Sequence, residues 1–210
     1  MTLTLYVGSK RYSSWSLRPY LALSQSGLAF DCKTILLDRD TTKAEIAKVS
    51  PTGRVPILHH DGLVVQDSLA ICEYVAELAP DANLWPADRA ARAKARAISA
   101  EMHAGFAALR GNMPMDACGD KRGQGHTADA LADARRVQEI WREQLTKHGG
   151  PFLFGVFSIA DAMYAPVATR FRTYGVDVDA PCRAYVDTIY ALPAMRAWIA
   201  DAAREPETRA

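Results

Sequence analysis

The feature that most constrains this chain is an abrupt change of texture near residue 80. Before it, short runs rich in Val, Ile and Leu at residues 2–7, 32–37, 55–59 and 63–66 carry the strand signature. Helical patterns stand at about 16–26, closed by Gly27, and at 42–49, closed by Ser50-Pro51-Thr52-Gly53. A third covers 67–79. The implied order is β-α-β-α-β-β-α, with the two-residue Asp61-Gly62 joining the last two strands as a hairpin. After Pro80 to Pro86 no strand signal recurs. Residues 87–109 and 127–148 are long Ala- and Arg-rich helical patterns, separated by a polar, glycine-bearing break from Gly111 to Gly125. A last helix is expected over about 181–203, with Pro193 interrupting it. The expected organisation is an α/β domain over 1–80, a linker at 81–86 and an all-α domain over 87–210.

Composition excludes several classes of function. Lys plus Arg (25) against Asp plus Glu (24) leaves a net charge of +1, so no global field exists to hold nucleic acid or an anionic membrane. No apolar run approaches the roughly 18–20 residues that cross a bilayer. The stretch Met1 to Val7 alternates polar and apolar without a cationic head, and reads as a strand rather than a signal peptide. Cys32, Cys72, Cys118 and Cys182 are far apart and form no Cys-x-x-Cys pair, so reduced thiols in a cytoplasmic protein are the simplest account. The five histidines, His59, His60, His103, His126 and His148, show no metal-ligand spacing, and no metal is expected. Gly-x-Ser-x-Gly, Gly-x-Gly-x-x-Gly and the phosphate loop are all missing from the sequence.

Three segments are candidates for chemistry. Arg11-Tyr12-Ser13-Ser14-Trp15-Ser16-Leu17-Arg18-Pro19 follows the first strand directly. A helix cap accounts for one serine there, but not for three with a tryptophan and two arginines beside them. A hydroxyl between a strand and a helix N-terminus sits where backbone N–H groups favour an anion. Gln66-Asp67-Ser68 opens the third helix, either as a simple cap or as a second anion site. In the second reading the Ser68 hydroxyl takes a ligand carboxylate and Asp67 faces a ligand ammonium. Val55-Pro56 completes the set, since proline is excluded from a central ladder and signals a bend, which a cis peptide bond is one way to make. Two helix N-termini and a bent strand in one small domain make a site for an extended ligand. Further on, Ser158-Ile159-Ala160-Asp161 has the capping-box form, which gives Asp161 a structural role.

These residues resemble those of cytosolic glutathione S-transferases. The resemblance rests on Ser13-Ser14-Trp15-Ser16-Leu17-Arg18 after strand one, Val55-Pro56 after Arg54, Gln66-Asp67-Ser68-Leu69-Ala70-Ile71, and the Ser158–Asp161 box. It covers essentially the whole chain and implies a thioredoxin-like α/β domain followed by an all-helical one. The double serine is most similar to the zeta-like and related bacterial branch, with Trp15 where the zeta motif carries cysteine. By this resemblance Ser13 serves the glutathione thiol, with Ser14 its neighbour and Tyr6 a third hydroxyl. Arg54, Val55, Pro56, Asp67 and Ser68 would complete the glutathione site, Val55 pairing with the cysteinyl backbone. Glutathione would be a co-substrate and a small electrophile the second substrate, taken between the domains. Met102, His103, Phe106 and Arg110 offer an adaptable wall there, although methionines at helical spacing read equally as core. The implied activity is glutathione transfer by a cytoplasmic homodimer. Isomerase or peroxidase work at the same site, or glutathione binding with little turnover, are the alternatives.

Overall fold

A computed structural model of the chain describes residues 2–206. Strands β1 (Leu3–Gly8), β2 (Phe30–Ile35), β3 (Ile57–His60) and β4 (Leu63–Gln66) form one sheet in the order β2-β1-β3-β4. β1 runs parallel to β2, while β3 is antiparallel to both β1 and β4. Helices α1 (Ser14–Ser26), α2 (Thr42–Ala47) and α3 (Ser68–Leu78) alternate with the strands. The alternation of β1 fixes the layers. Leu3, Leu5 and Val7 are buried and join Leu17 and Leu21 of α1 and Ile71 and Val75 of α3 in one core. Thr4 and Tyr6 take the other face, where the Tyr6 ring stands 4.9 Å from that of His59. His59 bonds the Val49 carbonyl at 2.8 Å just beyond α2, whereas His60 bonds the Tyr74 hydroxyl of α3 at 2.8 Å. The adjacent histidines thus serve opposite faces.

A strand-free set of helices follows: α4 (Arg89–Ala104), α5 (Ala107–Asn112), α6 (Ala128–His148), α7 (Ile159–Tyr174), α8 (Ala180–Ala191) and α9 (Pro193–Arg204). α7 is the central post, buried on nearly every side, and the apolar core runs without interruption from the sheet through α1 and α7 to Trp141 and Trp198. The capping box holds α7 in place. Asp161 is fully buried; its Oδ2 accepts the Ser158 N–H (2.8 Å) and hydroxyl (3.0 Å). Its Oδ1 accepts the Leu153 N–H and the Tyr185 hydroxyl, both at 3.0 Å. Burial still pushes the carboxyl up to about 6 against those four bonds.

Two sequence expectations need correction. The helix expected over 87–109 breaks into α4 and α5, because Gly105 and Phe106 leave helical geometry, Phe106 at φ 58. A Cβ on Gly105 would lie 2.7 Å from the Glu101 carbonyl oxygen, so only glycine fits that corner. The interruption expected at Pro193 is borne out, since the chain divides at Leu192-Pro193 into α8 and α9. Strand three begins at Ile57 rather than 55, after a cis Val55-Pro56 bond, since Pro56 has no N–H for the ladder.

Candidate active site

A cavity of about 710 Å³ opens where the starts of α1 and α3, the Thr52–Pro56 loop and the end of α4 converge. Trp15 forms one wall and Thr52, Arg54, Val55 and Pro56 another. Gln66, Asp67 and Ser68 form the third, and His103 reaches in from α4. Of the sequence-predicted residues, Arg54, Val55, Pro56, Asp67, Ser68 and His103 are drawn together here, while Ser13 and Ser14 are not among the lining residues.

Ser13 is the N-cap of α1. Its hydroxyl donates to Ser16 Oγ at 2.8 Å and its oxygen accepts the Ser16 N–H at 3.4 Å. Ser16 Oγ in turn accepts the Gly8 N–H at 3.0 Å. Sequence reasoning saw a third serine here without a role; its role is to join the end of β1 to the cap of α1. Ser14, the first residue of α1, is buried, and its hydroxyl has no hydrogen bond to the described residues. Tyr6 lies on the opposite sheet face, over Lys33 and His59, away from the cavity.

At the second helix start, Asp67 caps α3 through Oδ1, which accepts the Leu69 N–H at 2.8 Å and the Ala70 N–H at 3.2 Å. Its backbone stands at φ 76, a conformation that costs a non-glycine residue about 1–3 kcal/mol. Asp67 Oδ2 meets His103 Nε2 at 3.3 Å, an ion pair when the imidazole is protonated. The carboxylate is thus divided between the helix amides and His103. Ser68 beside it is 1% exposed, and its hydroxyl has no partner among the described residues. A buried, unsatisfied hydroxyl costs about 1–3 kcal/mol and signals a missing hydrogen-bond partner.

Positive charge gathers behind Trp15. The guanidinium carbons of Arg18 and Arg110 lie 4.2 and 4.3 Å from the indole centroid. Arg18 is fully buried with all three nitrogens unbonded; burial and repulsion from Arg170 and Arg110 lower it to about 9. Arg170 is satisfied by the carbonyls of Met113 (2.9 Å) and Pro166 (3.1 Å). Of the expected second-substrate wall, His103 alone lines the cavity. Met102 is wholly buried in the core, Phe106 is buried at the α4–α5 corner, and Arg110 spans Trp15 and the carbonyls of His103 (3.1 Å) and Gly105 (3.4 Å). The methionine followed core packing, as its helical spacing allowed.

Among the described residues no group of three or more His, Cys, Asp or Glu side chains could hold a metal ion, and no helix is long and apolar enough to cross a membrane.

Known proteins resemble this chain in sequence and fold. Residues 12–78 match the glutathione S-transferase N-terminal domain, and residues 124–201 match the glutathione S-transferase C-terminal domain. The chain is 29% identical over 170 residues to a probable maleylacetoacetate isomerase of Caenorhabditis elegans, covering 79% of this chain and 78% of that protein. It is 30% identical over 170 residues to probable maleylacetoacetate isomerase 1 of Drosophila melanogaster, covering 79% and 67%. A Burkholderia glutathione transferase homolog solved with bound glutathione superposes with a TM-score of 0.73 at 26% identity, over 97% of this chain and 98% of that one. With both halves matched in order and the fold shared end to end, this chain belongs to the glutathione S-transferase family.

Proposed function

We propose that the protein is a glutathione transferase in which the cavity grips glutathione and holds its sulfur as a thiolate at the start of α1. The observation that carries this reading is the unsatisfied, buried Ser68 hydroxyl at the start of α3, in a cavity also walled by Trp15 of α1, the helix that Ser13 caps. The Ser68 hydroxyl at the start of α3 would take the γ-glutamyl carboxylate, and Asp67 Oδ2 its ammonium, in exchange for His103. Arg54, Val55 and Pro56 would hold the cysteinyl segment.

The chemistry asked of the site is modest. A thiol of pKa about 8.5 is only about 3% ionised at pH 7, and lowering it to about 6.5 takes roughly 2.7 kcal/mol of preferential anion stabilisation. A hydrogen bond to a charged group supplies about 1.5–3 kcal/mol and a helix N-terminus about 0.3–1. The serine pair gives that donor a backing. If Ser13 turns its proton from Ser16 to the sulfur, the Ser16 hydroxyl can reverse and donate to Ser13, keeping the Gly8 N–H on its own oxygen. A chain of donors then points from β1 to the thiolate, each bond polarising the next. The field of buried Arg18, four residues beyond Ser14 on α1, favours the same anion. Ser13 is the donor in this scheme, not a nucleophile; the sulfur attacks the electrophile and forms the new carbon–sulfur bond.

Glutathione-dependent isomerisation is the second reading, favoured by the relatives named maleylacetoacetate isomerase. The two separate at the last step: conjugation keeps the carbon–sulfur bond, isomerisation breaks it and returns glutathione. A homodimer in the cytoplasm acting on a small electrophile completes the proposal. Calorimetric titration with glutathione, then a panel of aryl halides, unsaturated ketones and maleylacetoacetate, tests it. Micromolar to millimolar binding with turnover of any panel member is expected; absence of glutathione binding would overturn the reading.

A further inference from the structure

The turn that delivers Ser13 to the head of α1 is held from outside by the far end of the chain. Ser9 to Ser13 form a tight turn in which the Ser9 carbonyl accepts the Tyr12 N–H at 3.1 Å and the Ser13 N–H at 2.8 Å. The two residues at its tip, Lys10 and Arg11, therefore aim their own N–H groups outward. Both find one carboxylate: Glu205 Oε1 accepts the Lys10 N–H at 2.8 Å and Oε2 the Arg11 N–H at 3.2 Å. From α9, Trp198 Nε1 donates to the Lys10 carbonyl at 2.8 Å, and Lys10 Nζ pairs with Asp201. The remaining carbonyl of the tip, that of Arg11, accepts the Ala117 N–H at 2.9 Å. Every backbone polar group at the tip is engaged, three of the four by residues almost two hundred positions away in sequence.

We propose that Glu205, aided by Trp198, is a positioning residue for the thiol-activating serine. It acts as a carboxylate strap across the Ser9–Ser13 turn that fixes where the Ser13 hydroxyl points. The inference rests on the reading of Ser13 as thiolate donor, but it concerns a residue that touches no substrate. A carboxylate spanning two successive backbone N–H groups uses charge-assisted bonds at both oxygens, and the second bond sets the orientation as well as the attachment. Ala117 and Asp116 hold the turn at Arg11, through its carbonyl and its guanidinium, and the strap adds the tie that fixes both tip N–H groups to the end of α9.

The test is a pH titration of the ultraviolet thiolate band in the glutathione-saturated protein, for wild type, Glu205→Gln, Glu205→Ala and Trp198→Phe, with kcat and KM for glutathione alongside. Glu205→Ala is expected to raise the bound-thiol pKa by about one, with kcat/KM down about tenfold. Glu205→Gln keeps one acceptor oxygen and should fall between it and wild type. Trp198→Phe keeps the packing but loses the bond to Lys10, and should move the pKa in the same direction. A strap that merely stabilised the fold would lower the melting temperature and leave the thiol pKa alone, and that result overturns the proposal. Lack of a thiolate band in wild type instead overturns the reading of the activity, and the positioning role with it.

Discussion

Replacing Asp161 with alanine should destabilise the protein by about 3 kcal/mol at pH 7.5, and the figure follows from its four hydrogen bonds. Removal strands the Leu153 N–H, the Ser158 N–H and the Tyr185 hydroxyl, while the Ser158 hydroxyl can rotate to another acceptor. Three buried donors left unsatisfied at about 1–3 kcal/mol each give a gross cost of roughly 3–9 kcal/mol. Against this, the wild-type carboxylate is ionised above its pKa of about 6 and pays for its burial. Its net penalty for being ionised there, burial less the help of the four bonds, is about 3 kcal/mol at about 1.4 kcal/mol per pH unit between its folded and ordinary pKa, and removal returns it. The middle of the remainder is about 3 kcal/mol. Asp161→Asn keeps one acceptor oxygen and carries no charge, and should cost roughly half as much. Urea unfolding followed by tryptophan fluorescence suits the measurement, because Trp141 stands 4.7 Å from the Tyr185 ring that Asp161 anchors. A chain of this size loses about 2–4 °C of melting temperature per kcal/mol, so a drop of roughly 6–12 °C is expected. No loss of stability in Asp161→Ala, or a gain, would refute the reasoning, since the stranded donors would then have found other partners.

Other outcomes follow from the same geometry. The raised pKa of Asp161 means that the folded protein holds this proton more tightly than the unfolded chain. Its contribution to stability is full below about pH 4 and is lost as pH rises through about 6. That slope should vanish in Asp161→Asn when urea midpoints are compared from pH 4 to 7. Ser68→Ala should raise the glutathione KM or Kd by about 10- to 100-fold, the worth of one hydrogen bond to a carboxylate, with little change in the pKa of bound thiol. An unchanged Kd by calorimetry would remove Ser68 from the site. Ser16→Ala should raise the bound-thiol pKa by a few tenths while leaving glutathione affinity intact, because it shortens the donor chain without touching the ligand. A pKa equal to that of wild type would show that Ser13 needs no backing.

Much of the fold was legible because period-2 and period-3.6 patterns report burial directly: Leu3, Leu5 and Val7 announced both a strand and its inner face. What failed was local geometry without a hydrophobic signature. Gly105-Phe106 interrupts an unbroken helical pattern, and only the clash of a Cβ with the Glu101 carbonyl reveals why glycine stands there. At the site, the segments around Ser13, Val55 and Ser68 could be singled out because helix starts and proline carry sequence marks. The divided carboxylate of Asp67 could not, since its second partner, His103, lies on a helix from the other half of the chain. Arg18 stands out in sequence only as one of two arginines beside the serines; its burial without a hydrogen-bond partner comes from the packing of α1 on α7, which carries Arg170. Glu205 carries no mark at all, being one acid among several near the chain end, and its meaning comes from a contact 195 residues away in sequence.

The central claim is that a serine hydroxyl at the head of α1 holds glutathione as its anion. Spectrophotometric titration of glutathione bound to wild type and to Ser13→Ala measures this directly. The account expects ionisation near pH 6.5 in wild type and a return toward about 8.5 in Ser13→Ala. Superimposable titrations of the two proteins would contradict it.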